Sequence, residues 1–146
     1  MNIWIGCDHA GYALKLEVIA FLKEKGINVT DLGCDGSRAD YPEIAKAVGK
    51  AVSANKGDLG ILICGTGIGM SIAANKVRGV RAALCADYFS AKYTRLHNDA
   101  NVMCMGARTL GAGLALELVS VFIDTPFEGG RHANRVAMIQ EMEQEF

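Results

Sequence analysis

Residues 58–64, DLGILIC, form an almost unbroken apolar run. The run ends in a turn with alternating glycines, Gly65, Gly67 and Gly69, before helical spacing resumes at MSIAANK. A short run with no polar face reads as a central strand of a parallel sheet, covered by helices on both sides. A glycine turn at the junction of such a strand with a helix exposes backbone N–H groups that can hold an anion. A thiol, Cys64, sits at the lip of this turn.

The rest of the chain alternates in the same way. NIWIGC reads as a strand, and GYALKLEVIAFLKEKG as a helix with Leu14, Val18, Phe21 and Leu22 on one face and Gly26 at its end. INVTDLG follows as a strand, and a helix then runs from Pro42, which suits a first turn, to about Ala54. After the central strand come a short helix (Met70 to Lys76), strand VRAALCA, helix DYFSAKYTRLH, strand NVMCMG and helix GAGLALELVSVFI. A last helix starts near Arg131. Strands alternating with helices predict an α/β fold: one three-layer α/β/α domain over residues 1–146 with a parallel sheet of about five strands.

Composition narrows the function classes. With 51 % apolar and 21 % charged residues and a net charge of −1, the chain has no basic excess to attract nucleic acid. Asp8 and His9 interrupt the N-terminus before a signal-peptide core forms. The charge-free stretch Leu59 to Ala74 is rich in glycine and shorter than the roughly 20 apolar residues of a membrane span. Cys7, Cys34, Cys64, Cys85 and Cys104 make no C-x-x-C pair and no zinc spacing. These features predict free thiols, no metal, no membrane contact and a cytoplasmic protein. All the cysteines except Cys64 are expected to pack as small buried hydrophobes.

In parallel sheets, ligands gather at the carboxyl ends of the strands. CDHAG, CGTGIG and GARTLG fall there with polar chemistry. The dinucleotide fingerprint G-x-G-x-x-G is not met, because the third glycine, Gly69, comes one residue early. Asp87 keeps a nucleotide reading open as a ribose partner, but it equally suits an N-cap for the following helix. No Walker lysine and Ser/Thr follow the loop. Cys64 is set apart by its place at an anion-holding turn and a helix N-terminus, where thiols become more acidic. Thr66 is placed to bond the sulfur or a substrate oxygen.

Each of the three histidines, His9, His97 and His132, has polar neighbours. The last helix opens with Arg131, His132 and Arg135 and closes with Glu141, Glu143 and Glu145, the reverse of what its dipole favours. An anion bound at its N-terminus resolves the conflict, and Arg131 and Arg135, four apart, share a face that can grip a phosphate. A thiol, a hydroxyl, an oxyanion-type turn, imidazoles and a phosphate clamp together suit proton transfer beside a carbonyl on a small phosphorylated substrate.

GCDHAG, DYP, ILICGTGIGMSIAANK, HNDANV, GAR and GGRHANRV, in this order along the whole chain, resemble the ribose-5-phosphate isomerase B family. That family also includes galactose-6-phosphate isomerase subunits and allose-6-phosphate isomerases. The resemblance implies a Rossmann-like fold, a homodimer or dimer of dimers with shared active sites, and aldose–ketose isomerisation of a sugar phosphate without metal or cofactor. It makes Cys64 the base that moves a proton between C1 and C2. It makes the turn Gly65, Thr66, Gly67, Ile68 and Gly69 the anion hole, and gives Thr66 a part in moving protons between the two oxygens. Asp8, His9 and Tyr41 become sugar-binding positions, His97 the ring-opening proton donor and Asn98 its neighbour on the sugar. Arg108, Arg131 and Arg135 become phosphate ligands with His132 nearby, Arg108 coming from either chain. Retention of the cysteine favours ribose 5-phosphate over a hexose 6-phosphate.

Overall fold

A computed structural model describes residues 1–145. Five strands, β1 (Asn2–Cys7), β2 (Asn28–Asp31), β3 (Leu59–Cys64), β4 (Ala82–Leu84) and β5 (Val102–Gly106), form one sheet in the order β2-β1-β3-β5-β4. Every pairing is parallel, with Ile5 opposite Ile61 and Cys64 opposite Gly106. The six α-helices are α1 (Tyr12–Glu24), α2 (Tyr41–Ala54), α3 (Ile68–Ala74), α4 (Tyr88–Asn98), α5 (Ala112–Asp124) and α6 (Arg131–Met142). None is long and apolar enough to cross a membrane.

The apolar run at residues 58–64 supplies the middle strand, and all six residues of that strand are buried. Alternation divides them between two cores. Ile61 and Ile63 join Ile3, Ile5, Met103 and Met105 under α1 and α5, through Leu14, Val18, Leu118 and Phe122. Leu62 and Cys64 join Val102 and Cys104 under α2 and α3, through Val48, Val52, Met70 and Ala74. A strand covered on both faces has no position for a polar side chain, which is why the sequence shows none there.

Four local features depart from the sequence-based expectation. The fourth strand is only Ala82–Leu84, although the Cys85 N–H beyond it still donates to the Cys104 carbonyl at 3.0 Å. A 3₁₀ turn, His9–Gly11, precedes α1, and Lys15 rather than Phe21 lies in that helix's buried stripe. Lys15 carries its charge inside because both Asp31 carboxylate oxygens, at 2.9 and 2.7 Å, and the Cys34 carbonyl, at 2.6 Å, accept from its ammonium group. Cys34 is half-buried rather than buried, with its sulfur 3.8 Å from that of Cys7.

In a parallel sheet every strand ends at the same edge. The segments after β1, β3 and β5, the three central strands, therefore converge at the carboxyl edge. Helix α6 lies at the opposite, amino edge: its first turn meets the end of α4, and Glu143 beyond its last turn accepts from the Gly79 backbone N–H at 3.0 Å.

Candidate active site

Cys64 ends β3 with 5 % of its surface exposed, and the Gly67 backbone N–H points back at its sulfur across 3.1 Å. Gly67 has φ +79°, a left-handed conformation that disfavours any side chain. A Cβ there would also lie 2.6 Å from Leu84 Cδ1 and 2.8 Å from the Met105 carbonyl carbon. Both constraints keep the turn tight enough to aim its N–H at the sulfur. The turn is clamped from the β5 side as well: Ala107 N–H donates to the Cys64 carbonyl at 2.8 Å and Arg108 N–H to the Gly65 carbonyl at 3.0 Å.

Side chains from three other segments surround this turn. The Arg108 guanidinium lies beside Gly65, 3.4 Å from where a Cβ would stand, so one chain brings its own Arg108 to its own glycine turn. The Tyr41 ring covers Gly69, 2.7 Å from the equivalent point there. Asp8 N–H bonds the Ile63 carbonyl at 3.1 Å, which fixes the end of β1 beside the end of β3. The Asp8 carboxylate caps the 3₁₀ turn through Ala10 and Gly11, and His9 is exposed on that turn. Thr66 and Ile68 are exposed on the glycine turn, and the Thr66 hydroxyl accepts from the Ile68 N–H at 3.3 Å.

Three of the other cysteines are a poor reservoir of thiolate. Burial pushes the Cys7 and Cys85 thiols up to about 12, and raises that of Cys104 further still. Asp87, the residue that kept a nucleotide reading open, is an N-cap. Its carboxylate accepts the Ser90 N–H at 2.8 Å and the Ser90 hydroxyl at 2.7 Å, and these bonds hold it below the usual carboxylate range.

A second polar cluster lies at the amino edge. The His97 and His132 rings stack with centroids 4.0 Å apart and planes 10° from parallel, and Tyr93 meets His97 edge-on at 4.9 Å. His132 is 4 % exposed and its Nε2 has no hydrogen-bond partner. Burial, then the neighbouring His97 and Arg131, lower its affinity for a proton. Asn98, Arg131 and Arg135 are exposed, and neither arginine pairs with a carboxylate among the described residues. Glu128 approaches both imidazoles, 3.6 Å from His97 Nε2 and 3.7 Å from His132 Nε2. As placed, these three groups do not make a zinc site. An imidazole binds a metal in its own ring plane, and two nearly parallel planes share no such point.

The two clusters do not meet within one chain. Asn101, three residues beyond Asn98, accepts from the Gly60 N–H at the start of β3, whereas Cys64 ends that strand. Four residues of strand separate those points by about 13 Å.

A family model described as "Ribose/Galactose Isomerase" matches residues 3–139. The chain belongs to the ribose/galactose isomerase family. It is 48 % identical over 144 residues to ribose-5-phosphate isomerase B of Escherichia coli strain K12, covering 98 % of this chain and 97 % of that protein. The solved structure of Clostridium thermocellum ribose-5-phosphate isomerase B superposes with a TM-score of 0.97 at 48 % identity, covering 99 % of each chain. Ribose-5-phosphate isomerase B from Mycoplasma genitalium, solved with bound ribulose 5-phosphate, gives 0.95 at 43 % identity, covering 99 % of this chain and 97 % of that one.

Relative to the family resemblance read from the sequence, the structure gathers Asp8, His9, Tyr41, Cys64, Thr66, the glycine turn and Arg108 at one edge. It gathers His97, Asn98, Arg131, His132 and Arg135 at the other. Sequence reasoning passed over Glu128. Its one signal was its position just ahead of GGRH, where two glycines with positive φ, Gly129 and Gly130, fold the chain back on itself.

Proposed function

We propose that the protein interconverts ribose 5-phosphate and ribulose 5-phosphate, with Cys64 as the base and with each active site completed by a second copy of the chain. The observation that carries this reading is the Gly67 N–H on the Cys64 sulfur, within a turn flanked by its own Arg108. A donor aimed at sulfur serves a thiolate better than a thiol.

Ring opening comes first. The C1–O4 bond of the furanose breaks, O4 takes a proton from His97, and the O1 proton passes to water. Cys64, as thiolate, then removes the proton on C2. The electrons of that C–H bond form the C1–C2 double bond, and O1 becomes an oxyanion facing the turn's N–H groups. Thr66 assists transfer of the O2 proton to O1. The Cys64 thiol returns its proton to C1 as the C2 carbonyl forms. Arg131 and Arg135, with Arg108, hold the phosphate, and Asp8, His9, Tyr41 and Asn98 hold the sugar.

The opposite-edge placement of His97 supports a shared site, because a five-carbon sugar phosphate does not span the sheet. A two-fold dimer gives two equivalent sites from one kind of contact. The chain offers a surface for it: Ile68 and Ile72 on α3, Leu84 on the edge strand, and Tyr88 and Phe89 on α4 are all exposed. Phe89 stacks on Tyr93 at 4.1 Å, so an aromatic ladder runs along α4 from that surface to His97.

The test is an isomerase assay of the purified protein on ribose 5-phosphate, allose 6-phosphate and galactose 6-phosphate. The highest kcat/KM is expected on ribose 5-phosphate. A higher value on a hexose phosphate would reassign the substrate, and no turnover of any would overturn the reading.

A further inference from the structure

We infer that Glu128 is a positioning residue for His97, holding that imidazole in place over the buried His132 ring for proton donation to the sugar. This rests on the ring-opening role proposed for His97. The carboxylate is fixed to its target through the backbone, since the Glu128 N–H donates to the Leu96 carbonyl at 3.0 Å, one residue before His97. The Gly129–Gly130 reversal then brings His132 under the same ring, with the His132 N–H bonded to the Gly129 carbonyl at 3.0 Å.

Two stacked imidazoles repel each other if both are charged, so at most one of them readily carries an extra proton. The groups that face the pair are Tyr93 on α4, Glu128 on the loop, and Arg131 and Arg135 on α6. His132 is buried with its Nε2 unpartnered, and Arg131 and Arg135 both oppose a charge on it. His97 keeps 34 % of its side chain in contact with solvent, so of the two rings it is the one a substrate can reach. At 3.6 Å the Glu128 oxygen is beyond a good hydrogen bond and acts on His97 by its charge. Because Glu128 is itself 59 % exposed, solvent screens that charge and the effect is moderate.

The test compares wild type with Glu128→Gln and Glu128→Asp in two reactions that share one pocket. Conversion of ribose 5-phosphate needs the furanose opened. Exchange of solvent deuterium into C1 of ribulose 5-phosphate does not, because that ketose has no ring. Glu128→Gln should lower kcat/KM on ribose 5-phosphate by about two- to fivefold near pH 8. It should move the fall of activity at high pH to lower pH and leave the exchange rate unchanged, with partial recovery in Glu128→Asp. Nitrogen NMR of the labelled imidazoles should show His97 titrating at lower pH in Glu128→Gln. Equal losses in both reactions, or an unmoved His97 titration, would overturn the role of Glu128. An inactive wild type would instead remove the isomerase reading, while the NMR titration would still decide whether Glu128 governs the proton on His97.

Discussion

The Gly67 N–H and the Cys64 sulfur are joined across 3.1 Å inside a turn that no other cysteine of the chain shares. The same turn opens α3, whose first N–H groups have no carbonyl partner within the helix. In the proposed mechanism, activation of the base and stabilisation of the oxyanion it creates therefore depend on one piece of backbone. Cys64→Ala should still bind the sugar phosphate while losing roughly 10²–10⁴-fold in kcat, the usual contribution of a general base. Solvent-deuterium exchange into ribulose 5-phosphate should disappear with it. Near-normal turnover in that variant would remove Cys64 from the chemistry.

Gly67→Ala tests the turn without touching the sulfur. The left-handed backbone costs an alanine about 1–2 kcal/mol, and its Cβ would press on Leu84 and the Met105 carbonyl carbon. The thermal midpoint should fall by several degrees, by roughly 2–4 °C per kcal/mol at this chain length. Activity in the still-folded variant should fall mainly in kcat, because the N–H is displaced from the sulfur. A loss confined to KM would contradict this.

Arg135→Ala tests the phosphate clamp. Arg131 and Arg135 project from a helix N-terminus with no acidic residue in its first turn, a placement that a bound anion would favour. The variant should bind ribose 5-phosphate and inorganic phosphate more weakly by similar factors, about tenfold or more. Unchanged inhibition by phosphate would place the clamp elsewhere.

His132 makes stability depend on pH. Burial and its positive neighbours hold its proton affinity below the ordinary value of 6.5. The folded chain therefore binds fewer protons there than the unfolded chain does. Its contribution to stability is complete above about pH 6.5 and declines as pH falls from there through the lower folded value. The thermal midpoint should drop between pH 7.5 and pH 5.5, and by less in His132→Gln. An equal drop in both proteins would assign the pH dependence to other groups.

Much of this was legible in the sequence because it rests on local pattern. The apolar run 58–64 reads as a covered strand, and parallel topology then put CDHAG, CGTGIG and GARTLG at one edge. The resemblance supplied roles for Cys64 and His97. What stayed hidden depends on contacts distant in sequence. Lys15 shares the helical spacing of Val18 and Leu22, but a lysine argues against burial unless partners such as Asp31 and Cys34 come to meet it. Glu128 reads as an ordinary loop acid until Gly129 and Gly130 turn the chain and bring His132 beneath His97. Cys34 follows β2 in an irregular segment, so its residue type gave a misleading prior for burial.

The separation of Cys64 from His97 by the length of β3 makes the shared site the central claim, and subunit mixing tests it most directly. Cys64→Ala and His97→Ala proteins, each inactive alone, would be combined under conditions that exchange subunits, with exchange verified by a mass tag. Mixed dimers contain one site with both residues intact, so ribose 5-phosphate isomerase activity should return to about one quarter of the wild-type value after equal mixing, as expected for random pairing of an isologous dimer. No recovery despite verified exchange would contradict an active site built from two chains.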